Sequence, residues 1–142
     1  DEEIVKLLYD ASCAGVRIKL VVRGICSIIP GLEGISENIS VISIVGQLLE
    51  HSRIFKFENA GSPEYYMGSA DIMPRNLDRR IEVVFPVLDE RLKARAESIL
   101  QTFLSDTYNA REQLSDGSFA FISKQGKKKI NAQEQFAIEA RS

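Results

Sequence analysis

Hydrophobic residues change their spacing along the chain, and this change predicts alternating helices and strands. Apolar positions recur at helical spacing over residues 4–14, and Gly15 is expected to end this helix. Over residues 16–22 every second position is apolar, which predicts a strand that closes at Arg23. A helix, a glycine and a strand in close succession predict an α/β fold, with a layered sheet and flanking helices. In such folds ligands gather beyond the carboxyl ends of strands.

The same two patterns continue through the rest of the chain. Further strands are predicted at residues 41–45, 53–57, 64–69, 80–87 and 118–122. A stripe of apolar positions predicts a helix at residues 92–104, and residues 132–140 have a helical pattern. Residues 71–78 are expected to be irregular around Pro74, and residues 109–114 are expected to extend the long helix or begin another.

Length and composition fit one compact domain. The chain has 142 residues, of which 44% are hydrophobic, so a core of ordinary size is available. Its net charge of −2 argues against general attraction to nucleic acid or to an anionic membrane. Apolar runs such as residues 41–45 are far shorter than the roughly 20 residues of a membrane-spanning helix. We therefore expect a soluble, cytoplasmic protein, with peripheral attachment to a membrane left open.

Two further features of the sequence concern its origin and its redox state. The chain begins with Asp1, already in a helical pattern and without signal-peptide features, which is typical of a fragment of a larger protein. Cys13 and Cys26 are too few for a disulfide framework. Both thiols are expected to be buried and inert.

The residues suited to chemistry lie between His51, the only histidine, and Arg80. Side chains two positions apart share a face of an extended backbone, so His51 is paired with Arg53, and Ser69 with Asp71. The two strand ends that carry these pairs are expected to converge. An imidazole, a guanidinium that holds phosphate, and a hydroxyl or backbone N–H at an oxyanion site are the groups that phosphoryl transfer requires.

A single histidine is more often a surface or core residue without a chemical role. The residues around it in the sequence therefore determine whether a role is indicated. His51, Arg53, Gly68-Ser69 and Asp71 resemble the half-motif His-x-Lys…Gly-Ser-x-Asn of the phospholipase D superfamily, which joins two halves into one site. Arg53 replaces the lysine and Asp71 the asparagine, which weakens an assignment to phosphodiesterase chemistry. With one histidine, the chain supplies only one half.

Eight short blocks carry a closer resemblance that covers nearly the whole chain. They are Ala-Gly-Val-Arg-Ile at 14–18, Val-Arg-Gly-Ile-Cys at 22–26, Ile-Pro-Gly at 29–31, Ser-Glu-Asn-Ile at 36–39, Ile-Ser-Ile-Val at 42–45, Leu-Glu-His-Ser-Arg at 49–53, Gly-Ser-Ala-Asp at 68–71 and Met-Pro-Arg-Asn-Leu-Asp at 73–78. Together they are similar to the C-terminal domain of the long, phospholipase-D-like type of polyphosphate kinase. Ile72 departs from the usual tryptophan, a change expected to affect packing more than chemistry.

This resemblance implies reversible transfer of the terminal phosphate between ATP and polyphosphate, through a phosphohistidine in the preceding domain. Magnesium is implied as a cofactor, with its ligands also in that domain. By matching position, His51 is then the assisting histidine, which contacts the nucleotide phosphates and donates a proton or hydrogen bond, and Arg23 is a nucleotide-phosphate ligand. The isolated fragment is expected to be inactive, and the full-length enzyme to be a homo-oligomer.

The remaining candidates are charged residues. Arg75 and Arg80 are expected to contact ATP phosphates or polyphosphate, and Arg53 to orient its neighbours. Asp71 is expected to hold an arginine or cap a loop rather than bind metal, because no clustered carboxylates accompany it. The basic run Lys127, Lys128 and Lys129 is expected to be a solvated face, or else to guide a polyphosphate chain.

Two other functions remain open at the level of sequence. The chain fits half of a phospholipase-D-like phosphodiesterase, for which the replacements at Arg53 and Asp71 are unfavourable. It also fits a non-catalytic module that binds a polyanion through Arg23, Arg75 and Arg80.

Overall fold

The computed structural model describes residues 1–122 and 129–141. Within these ranges the α-helices and strands follow in this order: α1 Glu2–Cys13, β1 Ile18–Val21, β2 Ile39–Ile44, β3 Ile54–Phe57, β4 Glu64–Gly68, α2 Pro74–Arg79, β5 Val84–Pro86, α3 Glu90–Leu104, β6 Ala110–Gln113, β7 Phe119–Phe121 and α4 Ala132–Glu139. The mixed α/β composition predicted from hydrophobic spacing is confirmed.

The chain divides into two compact units, each built on its own sheet. Asp1 and residues 51–102 form the first, here called the hairpin unit, whose sheet has the strand order β3-β4-β5. Residues 2–50 and the described residues from 103 onward form the second, here called the terminal unit, whose sheet has the order β1-β2-β6-β7.

In the terminal unit, β1 and β2 are parallel and the other strand pairs are antiparallel. Ile39 and Val41 are buried on β2 whereas Ser40 between them is exposed, as alternation along a strand requires. These two residues form a core with Ile28, against which α1 and β1 pack. Gly15, at φ +86°, follows α1 in the left-handed conformation that ends many helices, and thereby turns the chain into β1.

In the hairpin unit, antiparallel pairing brings three strand ends to one edge of the sheet. Ile54 at the start of β3 lies opposite Met67 near the end of β4. Gly68 at the end of β4 lies opposite Val84 at the start of β5. The segments that precede β3, follow β4 and precede β5 therefore meet at this edge. On one face of the sheet, α3 packs over a core of three buried residues: Tyr65, Val87 and Ala96.

Two predictions of secondary structure were wrong for related reasons. Residues 71–78, expected to be irregular, contain α2, because Pro74 at its start has a backbone angle that suits the first turn of a helix. The helix continues to Arg79, so the strand expected at residues 80–87 is reduced to β5.

Residues 109–114, expected to be helical, instead contain β6, which pairs with β2. The Asp106 carboxylate accepts hydrogen bonds from the amides of Tyr108, Asn109 and Ala110, and this arrangement turns the chain away from the axis of α3.

The expectation that both cysteines are buried was also wrong. Cys26 is half-buried, but Cys13 is exposed at the end of α1 because it lies at a helix terminus rather than on the packed face.

Candidate functional site

His51 lies at the strand-end edge of the hairpin unit, in the segment that leads into β3. The residue is exposed, and residues 51–53 precede the strand without belonging to it. Its backbone carbonyl accepts a hydrogen bond of 2.8 Å from Nη1 of Arg53. The imidazole is therefore carried by an irregular segment whose position depends on a neighbouring side chain.

Arg53 also contacts the end of the adjacent strand. Its Nε donates to Oδ1 of Asp71 at 3.0 Å, and the Arg53 side chain is only 18% exposed. The predicted convergence of the two strand ends is confirmed, as is the expectation that Asp71 holds an arginine. The hydrogen bond from Arg53 holds the pKa of Asp71 below its ordinary value, and the charges of His51 and Arg75 act in the same direction.

The lowered pKa of Asp71 predicts how the ion pair responds to pH. A carboxylate whose folded-state pKa is depressed adds stability above its ordinary pKa of 3.8, and this stability is lost as the pH falls through the lowered value. The difference in thermal midpoint between the native full-length polypeptide and its Asp71→Asn variant should therefore be fully present at about pH 5. It should shrink below pH 3.8. Thermal unfolding across this range measures the difference, and a difference that persists unchanged down to about pH 2 would contradict the assignment.

Ser69 and Glu82 form a second connection at the same edge. The Ser69 hydroxyl donates to Glu82 and accepts from the backbone N–H of Val83 at 3.2 Å. Asn76 on α2, which is buried, donates to the other Glu82 oxygen at 2.8 Å. The hydrogen bond from Ser69 is the main cause that lowers the pKa of Glu82, followed by that from Asn76.

This connection corrects one expectation and adds one residue. A hydroxyl or an adjacent backbone N–H was expected as the oxyanion donor, but the Ser69 hydroxyl donates to Glu82 and the Ser69 N–H donates to the Val83 carbonyl oxygen at 3.0 Å. Sequence reasoning missed Glu82. The alternation of apolar and polar residues around Glu82 placed it on one face of a predicted strand. That pattern does not indicate which residues Glu82 contacts. Gly68 permits the close approach of these segments, because a Cβ there would collide with the Val83 carbonyl oxygen.

Two exposed arginines flank this edge. Arg75 lies on α2 and Arg80 directly follows that helix. The charge of Arg75 lowers the pKa of Asp71, and that of Arg80 lowers the pKa of Glu82. His51 and these two arginines all belong to the hairpin unit.

Arg23 belongs to the terminal unit, where it lies just beyond the carboxyl end of β1. It is exposed, and Gly24 follows it with φ +95°. The preceding residue, Val22, still donates to the Ile42 carbonyl of β2 at 2.9 Å. Because β1 and β2 are parallel, Arg23 stands at the edge where ligands gather in α/β sheets.

The carboxylates at the hairpin edge do not form a metal cage. Across residues 1–122 and 129–141, the structure has no group of three or more His, Cys, Asp or Glu side chains arranged to hold a metal ion. Asp71 is hydrogen-bonded to Arg53, and both Glu82 oxygens accept from Ser69 and Asn76. The donor set present here does not fit a hexacoordinate magnesium ion, which prefers oxygen ligands and bound water.

Two remaining features concern the basic run and the membrane. Lys127 and Lys128 lie outside the described residues. The Lys129 ammonium lies 4.0 Å from the centroid of the Tyr108 ring, within the range of a cation–π contact. Among the helices of the described residues, none combines the length and apolar character needed to cross a bilayer.

Comparisons with known proteins identify relatives of this chain. Residues 1–133 match the family model described as polyphosphate kinase C-terminal domain 2. A polyphosphate kinase of Parasynechococcus marenigrum is 58% identical over 119 residues, which cover 84% of this chain and 17% of the relative. One from Prosthecochloris aestuarii is 49% identical over 140 residues, which cover 99% of this chain and 20% of the relative.

The fold has a counterpart among solved structures. A crystal structure of polyphosphate kinase from Porphyromonas gingivalis matches 99% of this chain with a TM-score of 0.93 and 39% sequence identity, over 22% of its own length. The predicted fold class, an α/β fold of the phospholipase-D-like type, is confirmed. The chain spans about a fifth of the length of the relatives it matches.

Proposed function

Because this chain belongs to the polyphosphate kinase family, we propose that the polypeptide containing it reversibly transfers the terminal phosphate of ATP to polyphosphate. One observation carries the part assigned to this chain. An exposed imidazole, held through its backbone by Arg53, stands at a sheet edge, and the same unit exposes Arg75 on α2 and Arg80 directly after that helix. An imidazole and cationic side chains suit the charge that develops on phosphate oxygens during phosphoryl transfer.

The proposed reaction has two steps. An imidazole nitrogen of a histidine outside this chain attacks the γ-phosphorus of ATP, an N–P bond forms, and the bond to the bridging oxygen breaks. ADP leaves with that electron pair. A terminal oxygen of polyphosphate then attacks the same phosphorus and the N–P bond breaks, so that the chain grows by one phosphate. Both steps are reversible, and both place negative charge on phosphate oxygens.

Within this scheme, the residues of this chain bind and neutralise phosphate. His51 donates a hydrogen bond or a proton to the oxygen that gains charge as the P–O bond breaks. Arg23 holds the nucleotide phosphates, while Arg75 and Arg80 hold phosphates of the nucleotide or of polyphosphate. The fragment alone is inactive because the phosphorylated histidine lies elsewhere in the polypeptide.

The proposal assigns the cofactor and the assembly to other parts of the polypeptide. Magnesium would neutralise the nucleotide phosphates, with its ligands outside this chain, since Asp71 and Glu82 do not fit it. Homo-oligomerisation through other domains, and a cytoplasmic or membrane-peripheral location, belong to the same proposal.

The phosphodiesterase alternative conflicts with one contact. The phospholipase D half-motif has a lysine and an asparagine at the two positions that follow its histidine and its Gly-Ser pair. Here Arg53 and Asp71 occupy these positions and bond to each other at 3.0 Å. A closed pair of opposite charges offers little to an incoming anion.

The decisive experiment is an assay of the full-length polypeptide with ATP, magnesium and a short polyphosphate primer. We expect polyphosphate to lengthen, with one ADP released for each phosphate added. A parallel reaction without ATP, containing a phosphodiester substrate, serves as the control. Hydrolysis of that diester without any use of ATP would replace the proposal with the phosphodiesterase function. Binding of polyphosphate and ATP without turnover would indicate a passive polyanion-binding module.

A further inference from the structure

The geometry points to Arg53 as a positioning residue, which sets the main chain of His51 instead of binding substrate phosphate. This inference rests on the proposed function, in which His51 meets the nucleotide phosphates. Arg53, which replaces the lysine of the phospholipase D half-motif, is thereby assigned the role of positioning His51. The Arg53–Asp71 pair, here called the latch, joins the segment before β3 to the segment after β4. Arg53 of this pair also hydrogen-bonds to the backbone of His51.

The guanidinium makes two separate contacts at once. Nη1 donates to the His51 carbonyl oxygen at 2.8 Å and Nε donates to Asp71 Oδ1 at 3.0 Å. A guanidinium holds its N–H groups in one plane at fixed angles, so the position of Asp71 determines where the His51 carbonyl lies. A lysine ammonium has a single nitrogen on a flexible stem and does not transmit this geometry.

The backbone around the latch explains why His51 needs this support. The Arg53 carbonyl oxygen accepts from the Gly68 N–H at 3.2 Å, so the main chain of Arg53 is joined to the end of β4. His51 lies two residues earlier, outside β3. In the part of the chain that the structure describes, the Arg53 guanidinium is the group that hydrogen-bonds to the His51 backbone. Without this contact, no hydrogen bond from the described residues to its backbone would fix His51 at the sheet edge.

The surroundings of Arg53 disfavour direct binding of phosphate. Its side chain is mostly buried, and the Asp71 carboxylate already compensates its charge. An approaching phosphate would compete with that carboxylate and would also be repelled by it. Arg75 and Arg80 are exposed at the same edge and meet an anion at lower cost in desolvation.

Kinetics of the full-length polypeptide distinguish positioning from binding. A displacement of about 1 Å in a group that acts on the transition state lowers the rate by about 10²-fold. Arg53→Ala should therefore lower kcat by about 30- to 100-fold and change KM for ATP by less than about threefold. Arg53→Lys, which keeps the charge and much of the bulk, should fail to restore kcat because it loses the two-point contact.

A double-mutant cycle tests whether Arg53 and Asp71 act as one unit. Asp71→Ala should lower kcat by about tenfold, and the double variant should be no slower than Arg53→Ala. Arg91→Ala, at an exposed position on α3, is the matched control for loss of an arginine and should leave kcat and KM unchanged. Thermal midpoints of all variants separate a kinetic effect from unfolding, and Arg53→Lys provides the measurement if Arg53→Ala fails to fold.

Several outcomes would overturn the inference. A tenfold or larger rise in KM at constant kcat, together with rescue by Arg53→Lys, would make Arg53 a phosphate ligand. Additive losses in the double variant would mean that no latch exists. In either case the wild type still makes polyphosphate, so the proposed function survives. If the wild type instead hydrolyses a phosphodiester, the proposed function fails. The effects of the Arg53 substitutions on kcat and on KM are then measured with that diester as substrate. A wild type without any turnover overturns both.

Discussion

Replacing His51 with alanine in the full-length polypeptide should lower kcat for ATP-dependent polyphosphate synthesis by about 10²- to 10⁴-fold. This is the range typical of a side chain that transfers a proton or stabilises developing charge in a transition state. The imidazole is exposed at the sheet edge, so its removal should leave the fold intact. The measurement is steady-state kinetics with the thermal midpoint recorded alongside.

Two further variants sharpen the interpretation of the His51 result. His51→Gln keeps a hydrogen-bond donor but cannot transfer a proton near neutral pH, so partial recovery of kcat would assign a hydrogen-bonding role. Ser52→Ala changes the exposed neighbouring side chain and should have little effect. Full activity of a folded His51→Ala variant would remove His51 from the mechanism, whatever the activity of the family.

The largest loss of stability is expected at Asp106, a charged residue that is only 1% exposed. Its Oδ1 accepts from the amides of Tyr108, Asn109 and Ala110 at 2.7 to 3.0 Å, and its Oδ2 accepts from the amide of Ala132 at 2.8 Å. One carboxylate therefore joins the start of β6 to the start of α4 within the terminal unit.

Asp106→Ala removes this acceptor from four amide donors, of which Tyr108 keeps a second contact with the Ile130 carbonyl oxygen at 3.0 Å. A buried donor that loses its partner costs about 1–3 kcal/mol, and entry of water offsets part of the sum. We expect a loss of about 3–5 kcal/mol and a fall in the thermal midpoint of about 10–17 °C for a domain of this size. Asp106→Asn should be intermediate, because its amide group can accept on one side only.

Asp116→Ala is the matched control for the Asp106 experiment. Asp116 is also an acceptor of a backbone hydrogen bond, from Ser118 at 2.8 Å, but it is exposed. Its removal lets water take over the contact, so the midpoint should change little. Equal effects of the two substitutions would show that burial of the Asp106 carboxylate is unimportant.

The two principal predictions separate chemistry from folding. Loss of His51 should reduce kcat without changing the thermal midpoint, while loss of Asp106 should lower the midpoint. This contrast follows from their positions, because His51 is exposed on an irregular segment and Asp106 is buried between elements. Comparing both variants under one set of conditions also guards against mistaking an unfolded enzyme for an inactive one.

Hydrophobic spacing predicted most elements of the fold correctly because side-chain direction follows the backbone locally. The alternation over residues 16–22 located β1, and the apolar stripe over residues 92–104 located α3. The prediction failed where an element depends on contacts with residues far away in the sequence. β6 forms because it pairs with β2, and its residues show no local pattern that demands a strand. α2 had a local signal in Pro74, which was interpreted as a break although proline also begins helices.

The sequence by itself determined the family, the single histidine, and the convergence of the two strand ends that carry His51 with Arg53 and Ser69 with Asp71. Motif blocks and the two-residue repeat of a strand are local properties, and they are sufficient for these predictions. Only the tertiary structure decided that Glu82, 13 residues from Ser69, accepts a hydrogen bond from the serine hydroxyl, and that Arg53 donates to Asp71 and to the His51 carbonyl oxygen. Such choices depend on the path of the chain and on which donors and acceptors come within about 3 Å of one another. No periodicity encodes this proximity.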